Sequence, residues 1–231
     1  MNKFVPYLTT AAGACLTQAN WHELGIEYGL CELVPLIIKP GLEFWKNGMS
    51  LARYLAWEKK LILDASRLAL NAGSQFVVQS PYDGTRHVFT LDEFWDLVQQ
   101  LKPDRLLLPP GIAKRPCGLI RLDSPGPKLL DDVYRVDKAG LFLLDGKQIL
   151  YASDQPARDA VQGMVYQEDG TSYAILDAAY AMDFRFLGEN CVCPTCQQSF
   201  TRAYLHHLLQ STPLLAQRFL LMHNIFNLSL P

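Results

Sequence analysis

The chain has 231 residues, of which 49% are hydrophobic and 19% charged, and a formal net charge of −2. That length and apolar content supply a core for one large domain or a medium domain with a small appendage. The near-neutral balance excludes the strongly basic footprint of a protein that holds nucleic acid chiefly through phosphates, although a local basic patch is compatible with it. The first residues, MNKFVPYLTTAAGACL, combine one lysine with a short apolar run broken by Pro6 and threonines, which matches neither a secretory signal nor a membrane span. A cytoplasmic protein without membrane association is the expectation.

In chain order, Phe4 to Thr10, Leu30 to Ile38, Lys60 to Ser66, Gln75 to Ser80 and Asp104 to Pro110 are short, nearly continuous apolar or β-branched runs. Such runs predict strands of a sheet covered on both faces. Helical spacing falls between them, near Asn20 to Leu24, across Gly41 to Trp57 and over Thr90 to Leu101. The last carries a T-x-x-E capping box, Thr90 and Glu93, ahead of Phe94, Leu97 and Leu101. Strand and helix in alternation predict an α/β barrel or a doubly wound sheet.

Beyond Pro110, the segment AKRPCGLIRLDSPGPK reads as loop, followed by a short charged stretch from Asp131 to Lys138. Apolar runs resume at Leu141 to Leu144, Gln148 to Ser153, Gly163 to Gln167 and Tyr173 to Asp177. From Ser199 onward the pattern is helical. Thr212-Pro213 divides it into two helices, with threonine capping the second and proline in its first turn, where no N–H is needed.

The six cysteines divide into scattered Cys15, Cys31 and Cys117, which read as buried thiols, and a cluster of Cys191, Cys193 and Cys196. The cluster has the spacing C-x-C-x2-C, tight enough for three thiolates to meet one tetrahedral zinc ion. Three histidines follow as candidates for the fourth ligand. His223 shares the inward face of its helix with Phe219 and Phe226, which favours it, and His206 and His207 are the alternatives. Four protein ligands close the coordination sphere, so the single zinc is expected to be structural.

The segment CVCPTCQQSFTRAYLHHLLQSTPLLAQRFLLMHNI resembles the C-terminal zinc region of tRNA-guanine transglycosylases, also called queuine tRNA-ribosyltransferases. The shared marks are the cysteine cluster, the run Ser199 to Leu208, and the His223-Asn224 pair. In that family the histidine of the pair is the fourth zinc ligand. Weaker likenesses lie upstream: ILDASR (Ile62 to Arg67) falls where the family has a strand ending in DSGG, YDGTRHVFTLDEF (Tyr82 to Phe94) resembles its DGSRH segment before a capped helix, DRLLLPPG (Asp104 to Gly111) falls at its FDE strand, and KPGLEF resembles its RPG.

The resemblance implies a (β/α)8 barrel, but Gly111 and Gln148 are only 37 positions apart, and a whole barrel takes about 250 residues. The expected fold is therefore an incomplete or irregular TIM-like α/β barrel over residues 1–178, with a helical zinc-binding subdomain at 179–231.

The family exchanges a guanine in tRNA for a deazaguanine base by double displacement at the ribose carbon, with one aspartate as nucleophile and a second for acid–base work. Transferred position by position, the DSGG aspartate is Asp64, its glycines are Ser66 and Arg67, and the FDE aspartate is Pro110. The nucleophile segment FDCVMPTRNARNG matches Tyr151 to Gly163, anchored by Pro156, Arg158 and Gly163, which puts Ala152 at the nucleophile. Asp154, two residues on, is on the same face if the segment is extended. The family's glycine-rich VGGLAVGE stretch has no counterpart.

The candidate catalytic residues are thus Asp64 and Asp154, and the candidate substrate- or RNA-binding residues Asp83 and Arg158. The expected role is a non-catalytic relative that acts as a binding or partner subunit in tRNA modification, with an active transglycosylase as the alternative. The partners implied are a second copy or a related family subunit, tRNA and a deazaguanine base.

Overall fold

A computed structural model describes residues 3–112, 128–129, 133–136, 140–145 and 148–228. Cys117 and the loop expected after Pro110 lie outside the described residues, apart from Gly111, Ile112 and Lys128.

The elements are β1 Lys3–Pro6, α1 Gln18–Glu23, β2 Tyr28–Glu32, α2 Leu33–Leu36, α3 Leu42–Trp45, α4 Leu51–Leu55, β3 Lys60–Asp64, β4 Gln75–Gln79, β5 Arg86–Thr90, α5 Leu91–Leu101, β6 Arg105–Leu107, β7 Lys128–Leu129, β8 Val133–Val136, β9 Gly140–Asp145, β10 Gln148–Ser153, α6 Gln155–Val161, β11 Met164–Tyr166, β12 Ser172–Ala174, α7 Arg202–Ser211 and α8 Pro213–Phe226. Strands β2, β3, β6 and β7 form a parallel sheet, and β1, β10, β9 and β8 form a second in which β1 and β10 are parallel and β9 runs antiparallel to both its neighbours.

The two sheets meet where Tyr7 bridges Leu30 and the Leu8 N–H donates to the Leu30 carbonyl at 2.8 Å. The strand order around the curved surface is therefore β8-β9-β10-β1-β2-β3-β6-β7. Its concave side holds a compact apolar core of Val5, Tyr28, Leu30, Ile62, Leu107, Leu141, Leu143, Leu150 and Ala152, contributed by six different strands. Only three residues separate Leu129 from Val133, so the outer edges of the sheet lie within about 14 Å of each other. No pairing between β7 and β8 closes the barrel among the described residues.

The end from which the parallel strands start is plugged by polar side chains. Arg105 pairs with Asp145 at 2.9 Å, and the Tyr28 hydroxyl, 3.4 Å from Asp145, accepts from Lys60 at 3.1 Å. The opposite, C-terminal end carries Tyr7, Glu32, Asp64 and Asp154, at or just beyond the last residues of β1, β2, β3 and β10.

Several elements depart from the sequence pattern. The strand expected from Leu30 to Ile38 ends at Glu32, and the chain turns into α2 because Leu33, Leu36 and Ile37 are buried at helical spacing, with Pro35 in the first turn. The helix expected from Gly41 to Trp57 is two short ones. Gly48 adopts a φ of +84° between them, and Ser50 caps the second by accepting from the Arg53 N–H. Strand β4 does not join the parallel sheet. It pairs antiparallel with β5 in a separate hairpin that buries Phe76 and Val78 on one face. The stretch from Asp131 to Lys138 contains β8.

Other expectations hold. Thr90 and Glu93 form the reciprocal capping box of α5, which buries Phe94, Trp95, Leu97, Val98 and Leu101. Pro213 opens α8 directly after Thr212, although the Thr212 side chain makes no capping bond to the helix. The main core is continuous from Trp21 and Trp45 through Leu101 to Leu205 and Leu220, so α8 packs against elements from both ends of the chain. Gln217 in α8 donates to the Ala12 carbonyl at 2.9 Å, tying this helix to the loop after β1.

Candidate metal centre

The thiols of Cys191, Cys193 and Cys196 come from one tight loop, and His223 comes from the third turn of α8. Their four ligand atoms all lie within 4.8 Å of one another. His223 Nδ1 is 3.7, 3.4 and 3.3 Å from the three sulfurs in that order. Zinc bonded to sulfur and imidazole at its usual lengths, with tetrahedral angles, separates such atoms by about 3.6 Å. The donor set and its spacing fit one zinc ion.

The protonation chemistry points the same way. The Cys193 thiol is held down at about 4 by its hydrogen bond with the Cys196 thiol and by His223. Cys196 is pushed up by that same bond, and Cys191 is pushed up by burial. A divalent cation would take the place of the protons that Cys191 and Cys196 otherwise hold, and zinc would supply the charge that lets three thiolates share this space.

The surroundings orient the ligands. The other ring nitrogen of His223 lies 2.8 Å from the Tyr166 carbonyl of β11, so Nε2 carries the proton and Nδ1 is left to bind metal. The next residue, Asn224, accepts from the Tyr166 N–H at 3.0 Å and donates to the Met164 carbonyl at 2.9 Å, so its amide extends the edge of β11. Thr195, fully buried between the ligating cysteines, donates to the Phe219 carbonyl at 2.8 Å. The loop enters past Gly188, where a Cβ would stand 2.8 Å from the Cys191 Cβ. His206 and His207 are turned away: His206 bonds the Ile175 carbonyl at 2.8 Å and His207 the Ala181 carbonyl at 3.1 Å.

The other sequence candidates lie elsewhere. Asp64, nearly buried at the end of β3, accepts from the Ser66 N–H at 2.8 Å. Asp154 does not sit in an extended segment as its relation to Ala152 required. Strand β10 stops at Ser153, and Asp154 has helical backbone angles at the N-cap of α6, because Pro156 and the alanines of QPARDAV start a helix there. Its carboxylate accepts from the Thr10 hydroxyl at 2.8 Å, and burial raises its pKa. Arg158 lies one turn along α6, 4.0 Å from Asp154.

Asp64 and Asp154 nevertheless lie at the same, C-terminal end of the parallel strands, at or just beyond the last residues of β3 and β10, and the charges of both act on Tyr7 and Glu32. Glu32 is buried, and Arg67, which stands where the resemblance placed a glycine, reaches back to it at 3.1 Å. Asp83 is remote from this group, exposed in the β4–β5 turn, where Ser80 and Thr85 hold its carboxyl at about 2. Glu32, Tyr7 and Thr10 escaped the sequence reading. Their only signal was a position near the end of an apolar run.

Comparison with known proteins agrees with this centre. Residues 150–229 match the family model of queuine tRNA-ribosyltransferase. Among curated proteins, 71 residues are 40% identical to the queuine tRNA-ribosyltransferase of Thermoanaerobacter pseudethanolicus, 38% to that of Lachnoclostridium phytofermentans and 35% to that of Clostridium perfringens. Each match covers 31% of this chain and 18% of the relative, so the chain matches less than a fifth of the length of these proteins.

Proposed function

We propose, because residues 150–229 match the family model of queuine tRNA-ribosyltransferase, that this chain is a zinc-stabilised relative that serves tRNA modification as a binding or partner subunit and does not itself exchange the base. In this reading residues 1–178 are a shortened barrel and 179–231 the zinc-bearing unit. The observation that carries it is Ala152. At the position that the resemblance gives to the nucleophile, the chain has a methyl group with 0% exposure, packed among Val5, Leu141 and Leu150. A methyl group cannot attack the ribose carbon. Pro110, at the FDE aspartate, likewise offers neither an acid nor a base.

The test is incorporation of labelled guanine into tRNA by the purified chain. No incorporation is expected, and turnover would overturn the reading.

One observation favours a second reading, an active transglycosylase in which Asp154 is the nucleophile. Its carboxylate is positioned by Thr10 on the same end of the barrel as Asp64. In that case incorporation occurs and Asp154→Ala abolishes it. Incorporation that survives Asp154→Ala would remove both readings of the Tyr151 to Gly163 segment.

A partner subunit needs a contact surface. Most of the apolar residues of α7 and α8 are covered within the chain, Leu209, Leu220, Leu221, Met222 and Ile225 being buried, but Leu214, Leu215 and Phe226 are exposed. We assign this remainder to contact with a second copy or a related family subunit. Sedimentation at micromolar concentration tests it, and a clean 26.0 kDa species that binds no such subunit would defeat it. The ligands the reading expects are tRNA and a deazaguanine base. No helix among the described residues is long and apolar enough to cross a membrane.

A further inference from the structure

Of the three sulfurs, Cys193 is buried, whereas Cys191 borders a cavity of about 380 Å³. His223 and Asn227 line the same cavity, as do the carboxylates of Glu168, Asp169 and Glu189. A cation entering or leaving the cluster through this opening moves among acidic groups, and Cys191 is the sulfur ligand that lines it.

Asn227 stands directly after α8, one turn beyond His223. Its side-chain nitrogen is 3.3 Å from the Cys191 sulfur and 3.0 Å from the His223 carbonyl, while its oxygen is farther from that sulfur, at 3.8 Å. The same nitrogen is 3.3 Å from both ring nitrogens of His223, but with Nδ1 on the metal and Nε2 protonated neither accepts, so the two protons of the NH₂ group go to the thiolate, which only accepts, and to the carbonyl. The backbone N–H of Asn227 also donates to the His223 carbonyl, at 3.1 Å, which pins the residue to the last turn.

We infer that Asn227 is a positioning residue of the zinc centre: its amide holds the cavity-facing Cys191 sulfur in place and so slows loss of the metal through that cavity. Cys191 comes from the loop and His223 from the helix, so one amide bonded to both keeps the two ligand-bearing segments in register. The inference rests on the zinc centre and is independent of whether the chain exchanges bases.

The test compares the full-length zinc-loaded chain with Asn227→Ala and with Asn227→Leu, which keeps the shape but offers no donor. Zinc release to a chromogenic chelator should be at least about tenfold faster in both variants. In cobalt-substituted protein the sulfur-to-cobalt charge-transfer band should move to lower energy in both, because a thiolate that has lost its donor gives up an electron more easily. A residue that merely packed would leave that band in place in Asn227→Leu. Release at the parental rate, an unmoved band, or a variant that fails to fold in excess zinc would each overturn the assignment, the last because a positioning residue is not required for the fold itself.

Discussion

The His223 ring joins the zinc centre to the edge of a strand: Nδ1 faces the three sulfurs and Nε2 lies 2.8 Å from the Tyr166 carbonyl. Metal binding is thereby coupled to the β11–β12 hairpin as well as to α8. Removing zinc with a chelator, or replacing His223 by Ala, should reduce far-ultraviolet helical signal and lower the melting temperature by more than about 10 °C, since structural zinc contributes folding free energy directly. A chain that holds less than about half an equivalent of zinc, with no loss of helix on chelation, would contradict this.

Gly188 lies against that centre. A Cβ there meets the Cys191 Cβ at 2.8 Å and the His223 Cε1 at 3.4 Å, and neither can retreat while holding metal. Gly188→Ala should cost about 1–3 kcal/mol and lower zinc occupancy, read by denaturant titration and metal analysis. Full occupancy at unchanged stability would show that the loop has slack.

Thr195 anchors the cysteine loop to α8 through its bond to the Phe219 carbonyl. Thr195→Val keeps the volume and loses the donor, so about 1 kcal/mol should be lost. The zinc ligands remain, and stoichiometry should stay at one. A much larger loss would assign Thr195 to the metal centre itself.

Glu32 supplies a pH dependence. Burial raises its carboxyl pKa above the ordinary value of 4.5, Arg67 opposes the shift, and the charge of Asp64 adds to it. The folded chain therefore holds this proton to higher pH than the unfolded chain, so the contribution of Glu32 to stability falls as pH rises from 4.5 through the raised value. Glu32→Gln removes that loss. Its stability relative to the parent should be more favourable at pH 8 than at pH 5, a comparison in which effects of pH on the zinc ligands common to both chains cancel. A difference that is flat in pH, or of opposite slope, would mean that Arg67 keeps the carboxylate ionised throughout.

Local chemistry was sufficient for part of this molecule. The C-x-C-x2-C spacing with a helical histidine, the Thr90–Glu93 capping box and the Thr212-Pro213 break each act within a few residues, so their consequences were legible in the sequence. The apolar runs of β1, β3 and β10 marked strands that line the apolar core, but not their partners. Only the tertiary structure decided that Leu33 to Leu36 leave the sheet as a helix, that β4 turns away into a hairpin, and that β9 runs antiparallel to both its neighbours. It also decided that Ala152 lies inside the core between the strands, that Asp154 stands at the start of a helix at the end of the strands shared with Asp64, Tyr7 and Glu32, and that the Asn227 amide meets the Cys191 sulfur. Each of these depends on residues far apart in the chain packing together, and a hydrophobic run carries its tendency to be buried without specifying what will bury it.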